Sequence, residues 1–412
     1  MDKKRLIFAV IFLAVTALFI YLMYLVFFAK DDGTTQTGGG QTGILEPGLS
    51  TPGANLPTAG SGSVDTDQFD NAGMDFPSAS ESGNLVGSNL PKAFEITQLT
   101  EAPIKNLKLN NLGNSNFYNS SDGKFYQLDT AGNLKELSDT TFYNVESVTW
   151  SPNKNESIIE YPDGSNIYYN FDTKKQVTLP EHWEDFSFSP QGEKIASKSI
   201  GLSPENRWLI SSDPTGKNVK LIGNLNENQD RVDVDWSPNE QIVAFSRTGE
   251  AQGADREEIY LIGQNDENFK SLIVEGRNFE STWSPSGEKL LYSVYSSESN
   301  FEPELWIVNS SGNLIGSGRK KLNLNTWSNK CTFQDDRFVY CAVPNEMERG
   351  AGIEPTLVDY IEDSIYKIDT KTGIKTEILL NEYHVIDSMY LGNDDKIYFT
   401  DKNQDGLFNI KI

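Results

Sequence analysis

Apolar and polar positions keep three different rhythms along this chain. From Leu6 to Ala29 there are 24 successive residues without a charge. An all-round apolar run of that length predicts one helix of roughly 36 Å, enough for the ~30 Å hydrocarbon core of a bilayer with some tilt. Residues 30–92 are rich in Gly, Ser, Thr, Pro, Gln and Asn, with runs such as TTQTGGGQTG. They hold too few apolar residues for a core, which predicts a flexible linker. From about 93 to 412, short alternating apolar runs are broken by turn residues, the pattern of β-strands.

The third rhythm repeats. Six segments align: VTWSPNKNESIIEY (148–161), FSFSPQGEKIASKS (186–199), VDVDWSPNEQIVAFSR (232–247), STWSPSGEKLLYSV (281–294), CTFQDDRFVYCAV (331–343) and SMYLGNDDKIYFT (388–400). Each is a short strand ending in an aromatic, then a turn, then a second β-rich strand. The aromatics are Trp150, Phe188, Trp236, Trp283, Phe333 and Tyr390, separated by 38, 48, 47, 50 and 57 residues. Such spacing suits propeller blades of four strands, A to D. In Ser-Pro-x-Gly, Pro presets φ and Gly supplies φ > 0 for a tight A–B turn. A seventh, weaker blade fits at 102–138. The last blade has strands A, B and C and then the chain stops, whereas FEITQLT (94–100) reads like a lone strand D. The expected fold is therefore all-β: a seven-bladed β-propeller closed by its N-terminal strand, preceded by one transmembrane helix and a disordered linker. Its 320 residues divide into blades of about 46.

The W-S-P-x-G-x-K-hydrophobic-hydrophobic pattern, strongest at 283–293 and 188–198, resembles the WD-like repeats of the TolB-type β-propeller family. Related repeats cap some prolyl oligopeptidase-type enzymes. The resemblance covers 93–412 and weakens where Ser-Pro becomes Gln334-Asp335 or Leu391-Gly392. YCAVP (340–344) is similar to a run in membrane-anchored bacterial propellers. The resemblance implies a propeller in the cell envelope and carries over no catalytic residues.

Charge sharpens the organisation. The chain carries −24 overall, yet Lys3, Lys4 and Arg5 precede the apolar run. A positive flank stays in the cytoplasm, so the expected order is a cytoplasmic tail (1–5), a transmembrane helix (6–29), a linker (30–92) and an extracytoplasmic propeller (93–412). A cleaved signal peptide is the rival, but it needs a shorter apolar stretch and a small-residue cleavage site, where this run ends Phe27-Phe28-Ala29-Lys30. Residues 31–92 hold eight acidic residues against Lys92, and the linker reaches roughly 40–45 Å. So acidic a body repels phosphate backbones, which excludes nucleic acid as an expected partner. Two His and two Cys rule out a four-ligand zinc site alongside other His or Cys chemistry.

Candidate chemistry is sparse. The six repeat aromatics could form a stacking platform, but their place in the repeat reads as core packing. Cys331 and Cys341 flank the A–B turn of the sixth blade, and two readings stand: a cross-strand disulfide or two buried free thiols. A register slip of one residue would separate them. DKNQDG (401–406) has the D-x-N-x-D-G spacing of a calcium loop, with Asp401, Asn403 and Asp405 as ligands, but its twelfth position is Ile412 and the other reading is a polar hairpin turn. Calcium is the one ion any spacing suggests, and no other cofactor is implied. No G-x-S-x-G elbow or Walker-type loop is present. Long B–C connections remain, the longest about 19 residues (344–362). Arg256, Arg349, Glu354 and Tyr360 are the expected contact residues if these loops bind, with drift at a tolerant site as the alternative. The expected function is a membrane-tethered, extracytoplasmic, non-catalytic scaffold for an envelope protein or surface ligand. The alternative is a carbohydrate- or peptide-active enzyme at the channel mouth.

Overall fold

The computed structural model describes Thr16 and residues 93–412. The expected transmembrane helix and linker lie outside the described residues, Thr16 apart. Among the described residues no helix is long and apolar enough to cross a membrane.

Residues 93–412 form a seven-bladed β-propeller of seven four-stranded antiparallel sheets. Blades 1 to 6 run in chain order over 104–136, 147–179, 183–224, 232–274, 277–321 and 331–378. Blade 7 takes strands A, B and C from Ile386–Leu391, Lys396–Asp401 and Leu407–Lys411, and strand D from Ile96–Thr100. The N-terminal strand thus closes the ring, Ile96 pairing with Ile410 and Thr97 with Asn409.

The core lies between blades, in seven layers that each draw on two neighbouring sheets. One joins Tyr118 and Phe125 of blade 1 to Trp150, Ile159 and Tyr169 of blade 2. Another sets Ile242 and Phe245 of blade 4 against Phe279, Leu290 and Tyr292 of blade 5. The closing layer is leaner, with Phe117 and Leu128 of blade 1 on Tyr398 and Leu407 of blade 7. Because B strands are covered on both faces, they read as nearly continuous apolar runs; Lys289–Tyr295 is buried along its five middle residues. D strands form the rim, and Leu134–Glu136 is wholly exposed.

The repeat aromatics sit in these layers. Trp150 stacks on Phe171 and donates from Nε1 to the Asn106 carbonyl of the preceding blade (2.8 Å). Trp283 stacks on Phe245, and Tyr390 stacks on Tyr398 while its hydroxyl meets Ser115 across the closing seam. The Ser of Ser-Pro has a structural job of its own. Oγ of Ser189, Ser237 and Ser284 accepts the amide five residues on, of Lys194, Ile242 and Lys289 (2.9–3.1 Å), and so latches each A–B hairpin. Gly287 is left-handed (φ 71°), and a Cβ there would lie 3.0 Å from the Asn239 backbone nitrogen of the previous blade. The motif therefore needs its glycine for both the turn and the blade contact. Cys331 and Cys341 face each other in register across strands A and B of blade 6 and are disulfide-bonded, Cα atoms 4.1 Å apart.

Candidate functional site at the channel mouth

The A strands are the inner edges of the blades. Four of them are bulged, three with a left-handed residue at the irregularity: Asn106 in Ile104–Leu109, Asp185 in Trp183–Phe188 and Asn278 in Arg277–Trp283. A bulge bends the strand and re-aims its side chains. From blade 3 onward these strands also bring carboxylates: Glu184 and Asp185, then Asp233 with Asp235 just past its strand, then Glu280, and Asp387 in blade 7.

On the face formed by B–C and D–A connections, three depressions share walls. The first, about 410 Å³, lies between blades 4 and 5 and is bordered by Asp233, Asp235, Arg247, Asn278 and Glu280. Asn278 and Glu280 also border the second, about 130 Å³, whose other walls include Trp327, Lys330, Val358 and Asp387. Asp387, Asp359 and Lys402 continue into the third, about 390 Å³, which reaches Tyr360, the 401–406 turn and Lys105 of blade 1.

Burial dominates the electrostatics of this mouth. It pushes the Asp235 carboxyl up to about 7, against the pull of Lys108 and with help from Asp185. It pushes Glu160, in strand B of blade 2, up to about 7 against a hydrogen bond from Ser147. Asp233 is raised by burial although Arg247 pulls it down, and Glu280 is raised by burial and then by Asp233. Some of the cations here are engaged. Lys198 Nζ sits 3.2 Å from Asp185 and donates to the Val232 carbonyl. Arg247 Nε lies 3.2 Å from Asp233.

Lys330 is held most tightly. A short 3-10 turn, Ser328–Lys330, leads into strand A of blade 6 and is clamped by Thr282, whose Oγ1 donates to the Ser328 carbonyl (3.0 Å). Lys330 Nζ meets both oxygens of Asp363 at 2.7 Å, and the Ile386 amide donates to Asp363 Oδ2 at 2.7 Å. Burial pulls the Lys330 ammonium down and pushes the Asp363 carboxyl up, while their contact opposes both. Side-chain exposure is 9% and 0%. The pair ties blade 6 to the first strand of blade 7.

The residues expected from sequence divide. Tyr360 (85% exposed) and the 401–406 turn come together at the third depression. Asp401, Asn403 and Asp405 each have bonding partners within the protein. Asp401 Oδ1 accepts the Asn403 and Gln404 amides, and its Oδ2 accepts the Val385 amide and faces His384 Nδ1 at 2.8 Å. Against the push of burial, His384 and these amides hold Asp401 below its ordinary value. Asn403 turns its amide nitrogen to the Asp359 carbonyl (2.8 Å), and the Asp405 carbonyl takes a bond from Gln98. Among the described residues no three His, Cys, Asp or Glu side chains are gathered to hold a metal ion. Arg256 lies apart, paired with Glu275, which also binds Arg319, in a depression on the rim of blades 4 and 5. Arg349 and Glu354 are exposed on the long loop and line none of the three depressions; Glu354 accepts a bond from Thr356. The loop itself is docked, with Ala351 and Val358 packed on Trp327 and Gly352 bonded to the Phe301 carbonyl (2.8 Å).

Sequence reading missed Asp233, Asp235, Glu280, Asp387 and the Lys330–Asp363 pair as site residues. The acids had a signal: EDFSF, VDVDW, FESTW and IDSMY carry one or two of them shortly before the repeat aromatic.

No known family profile matches the sequence, and no curated protein does. Solved structures do match. The Cps50 (Swd1) β-propeller domain of Myceliophteria thermophila aligns at 11% identity with a TM-score of 0.53, over 77% of this chain and 99% of that one. An oligogalacturonate lyase in complex with manganese aligns at 12% identity and TM-score 0.52, over 77% and 93%. A chain of the mitotic checkpoint complex aligns at 11% and 0.50, over 85% and 99%. At such identities the likeness is one of fold alone, and this fold hosts scaffolds and enzymes alike.

Proposed function

We propose that this protein is a non-catalytic binding scaffold of the cell envelope. Residues 6–29 hold it in the membrane, 30–92 tether it, and the propeller stands on the extracytoplasmic side. The uncharged run behind Lys3, Lys4 and Arg5 supports the anchor and its direction. The repeat's resemblance to TolB-type propellers supports the envelope setting. One observation carries the binding reading: three depressions share walls across one face, and their carboxylates outnumber the cations that neutralise them. Such a face suits a cationic protein or surface ligand.

The test is crosslinking in intact cells with a tag after Ile412, followed by identification of captured proteins. One abundant envelope partner, lost on changing Asp233 and Glu280 to their amides, is the expected result. Capture at background level would overturn the scaffold reading. A second reading has its own observation: Asp233, Asp235 and Glu280 border one depression with Arg247 beside them, and burial raises all three carboxyls. Raised and paired carboxyls are what acid–base chemistry on a glycan or peptide needs. Reproducible turnover by the purified chain, abolished in the same variant, would favour the enzyme.

A further inference from the structure

The face opposite the mouth, formed by A–B and C–D turns, differs in charge. Residues 93–412 sum to −20, yet two neighbouring C–D turns, each taken with the start of its strand D, hold no acid. In blade 5, 310–321 carries Arg319, Lys320 and Lys321; in blade 6, 370–376 carries Lys371 and Lys375. Arg319 and Lys321 are ion-paired with Glu275 and Glu304. Lys320 reaches only the Thr370 and Lys371 carbonyls (3.4 and 3.1 Å), and Lys375 only the Asn323 carbonyl (2.8 Å). These bonds cross between the blades and bring the two turns side by side. Lys371 is exposed and has no ion pair among the described residues. Asp369, which ends strand C of blade 6, is taken by Arg337. Three ammonium charges are left over on this edge. Lys270 of blade 4 adds a fourth, its Nζ on the Asn313 carbonyl (3.0 Å).

Each turn also sets one large apolar side chain in solvent. The 3-10 turn Gly312–Leu314 is followed by Ile315, which packs in the core, and leaves Leu314 62% exposed. Ile374, between Lys371 and Lys375, is 65% exposed. A single exposed Leu or Ile is ordinary. Apolar tips beside uncompensated lysines combine the two attractions that hold a protein on an anionic bilayer.

The start of the propeller says what this edge meets. Strand D of blade 7 enters where a C–D turn would otherwise lead, with Ile96 beside Ile410 near the end of strand C. The closing strand therefore begins on this same face. Just ahead of it, the Phe94 amide donates to the Leu379 carbonyl (2.7 Å). Leu379 is four residues along blade 6 from Lys375, roughly 13 Å at ~3.3 Å per residue. The uncharged run 6–29 lies upstream of that point in the chain.

We infer that the C–D edge of blades 5 and 6 docks on the anionic lipid surface of the membrane that residues 6–29 anchor. Leu314 and Ile374 enter the interface, and the four lysines meet lipid phosphates. The acidic mouth, on the opposite face, is thereby turned away from the bilayer and toward a partner. The inference rests on the anchor in the reading above and adds an orientation to it.

The test uses the full chain in vesicles of equal parts phosphatidylcholine and phosphatidylglycerol. The only two cysteines are bonded to each other, so one introduced Cys takes one fluorescent dye. Leu314→Cys, Ile374→Cys and, on the mouth face, Leu202→Cys are labelled in separate proteins, and spin-labelled headgroups quench any dye at the bilayer. Quenching at 314 and 374 is expected to exceed that at 202 about threefold or more. It should vanish in phosphatidylcholine alone, and in molar salt, where charges are screened beyond about 3 Å. Lys371→Glu with Lys375→Glu should lower quenching at 314 about threefold, with unchanged thermal unfolding to show that the variant folds. Equal quenching at all three positions, or the same quenching in both lipids, would overturn the docking. Alkaline extraction separates the two readings. A chain that stays in the vesicles with 314 and 374 unquenched refutes the docked edge and keeps the anchor. A chain that alkali strips, but that was quenched at 314 and 374 beforehand, refutes the anchor and keeps the docked edge.

Discussion

Replacing Asp363 by Asn should be among the most damaging isosteric changes in the propeller. Asp363 is fully buried and receives three donors at 2.7 Å, two contacts from Lys330 and one from the Ile386 amide. Asn keeps an oxygen for Ile386 but leaves Lys330 as a buried cation without a counter-charge. Breaking such a pair costs about 3–5 kcal/mol. The cost has a ceiling, because Lys330 can shed its proton. Starting from the ordinary lysine value of 10.5, deprotonation at pH 7 costs about 5 kcal/mol at ~1.36 kcal/mol per pH unit. With an unfolding entropy of about 2.1 cal/mol/K per residue over the 320 residues of 93–412, the melting temperature should fall by about 4–8 °C. The sign of the pH dependence follows. In the variant the folded-state lysine value is depressed and the unfolded one is not, so the penalty is full at neutral pH and shrinks as pH rises toward 10.5. Urea unfolding of wild type and variant at pH 7.0 and 9.5 should show the difference falling to about 1–2 kcal/mol. Adding Lys330→Met, which removes the other charge, should recover more than half of the loss at pH 7. A loss below about 1 kcal/mol at pH 7, or one of equal size at both pH values, would refute the reasoning.

Three further outcomes are expected. The Cys331–Cys341 bridge closes a loop with a sequence separation of 10, so reduction should cost about 3 kcal/mol in urea unfolding, and a thiol reagent should find no free Cys in the unfolded, unreduced chain. Burial raises Asp235 from 3.8 to about 7, so the protonated form is the stable one: its contribution is complete below 3.8 and is lost as pH rises through 7. Asp235→Asn should then match wild type at pH 4 and exceed it at pH 8 by up to roughly 4 kcal/mol; a gap that does not widen with pH contradicts this. Gly287→Ala should cost about 2 kcal/mol or more in chemical denaturation, from the left-handed backbone and the close Asn239. Gly132→Ala, left-handed but with open space beside it, should cost distinctly less.

The ring was legible because its signals are periodic. A buried aromatic ending each A strand and a buried B strand after it are demands that every blade repeats, and the missing last strand pointed to 94–100. The mouth was legible only in kind. Acids shortly before four of the six repeat aromatics are visible in the chain, but which of them keep a counter-charge depends on partners far away in sequence. Lys330 and Asp363 are 33 residues apart, and their pairing needs the Ser328–Lys330 turn to meet strand C of its own blade. Arg256 looked available because Glu275 is 19 residues on and closes on it only across the blade rim. In the 401–406 turn, Asp401 faces a histidine 17 residues earlier and accepts from backbone amides, partners that the local spacing does not reveal.

The N-terminal closing strand has a mechanical side. Any load carried by the chain before residue 93 enters the propeller through Ile96–Thr100. That strand is the outermost of blade 7, runs antiparallel to Leu407–Lys411, and sets its first residue beside Ile410. Pulling it outward from that end peels the ladder open one bond at a time instead of shearing all its bonds together. A clasp lies ahead of the ladder: the Phe94 amide donates to the Leu379 carbonyl, the Asn381 amide to the Phe94 carbonyl, and the Ile96 amide to Asn381 Oδ1. These bonds must part before the strand can lift. Tension arriving at Ala93 is thus taken first by the connection between blades 6 and 7, and the seal of the ring yields second.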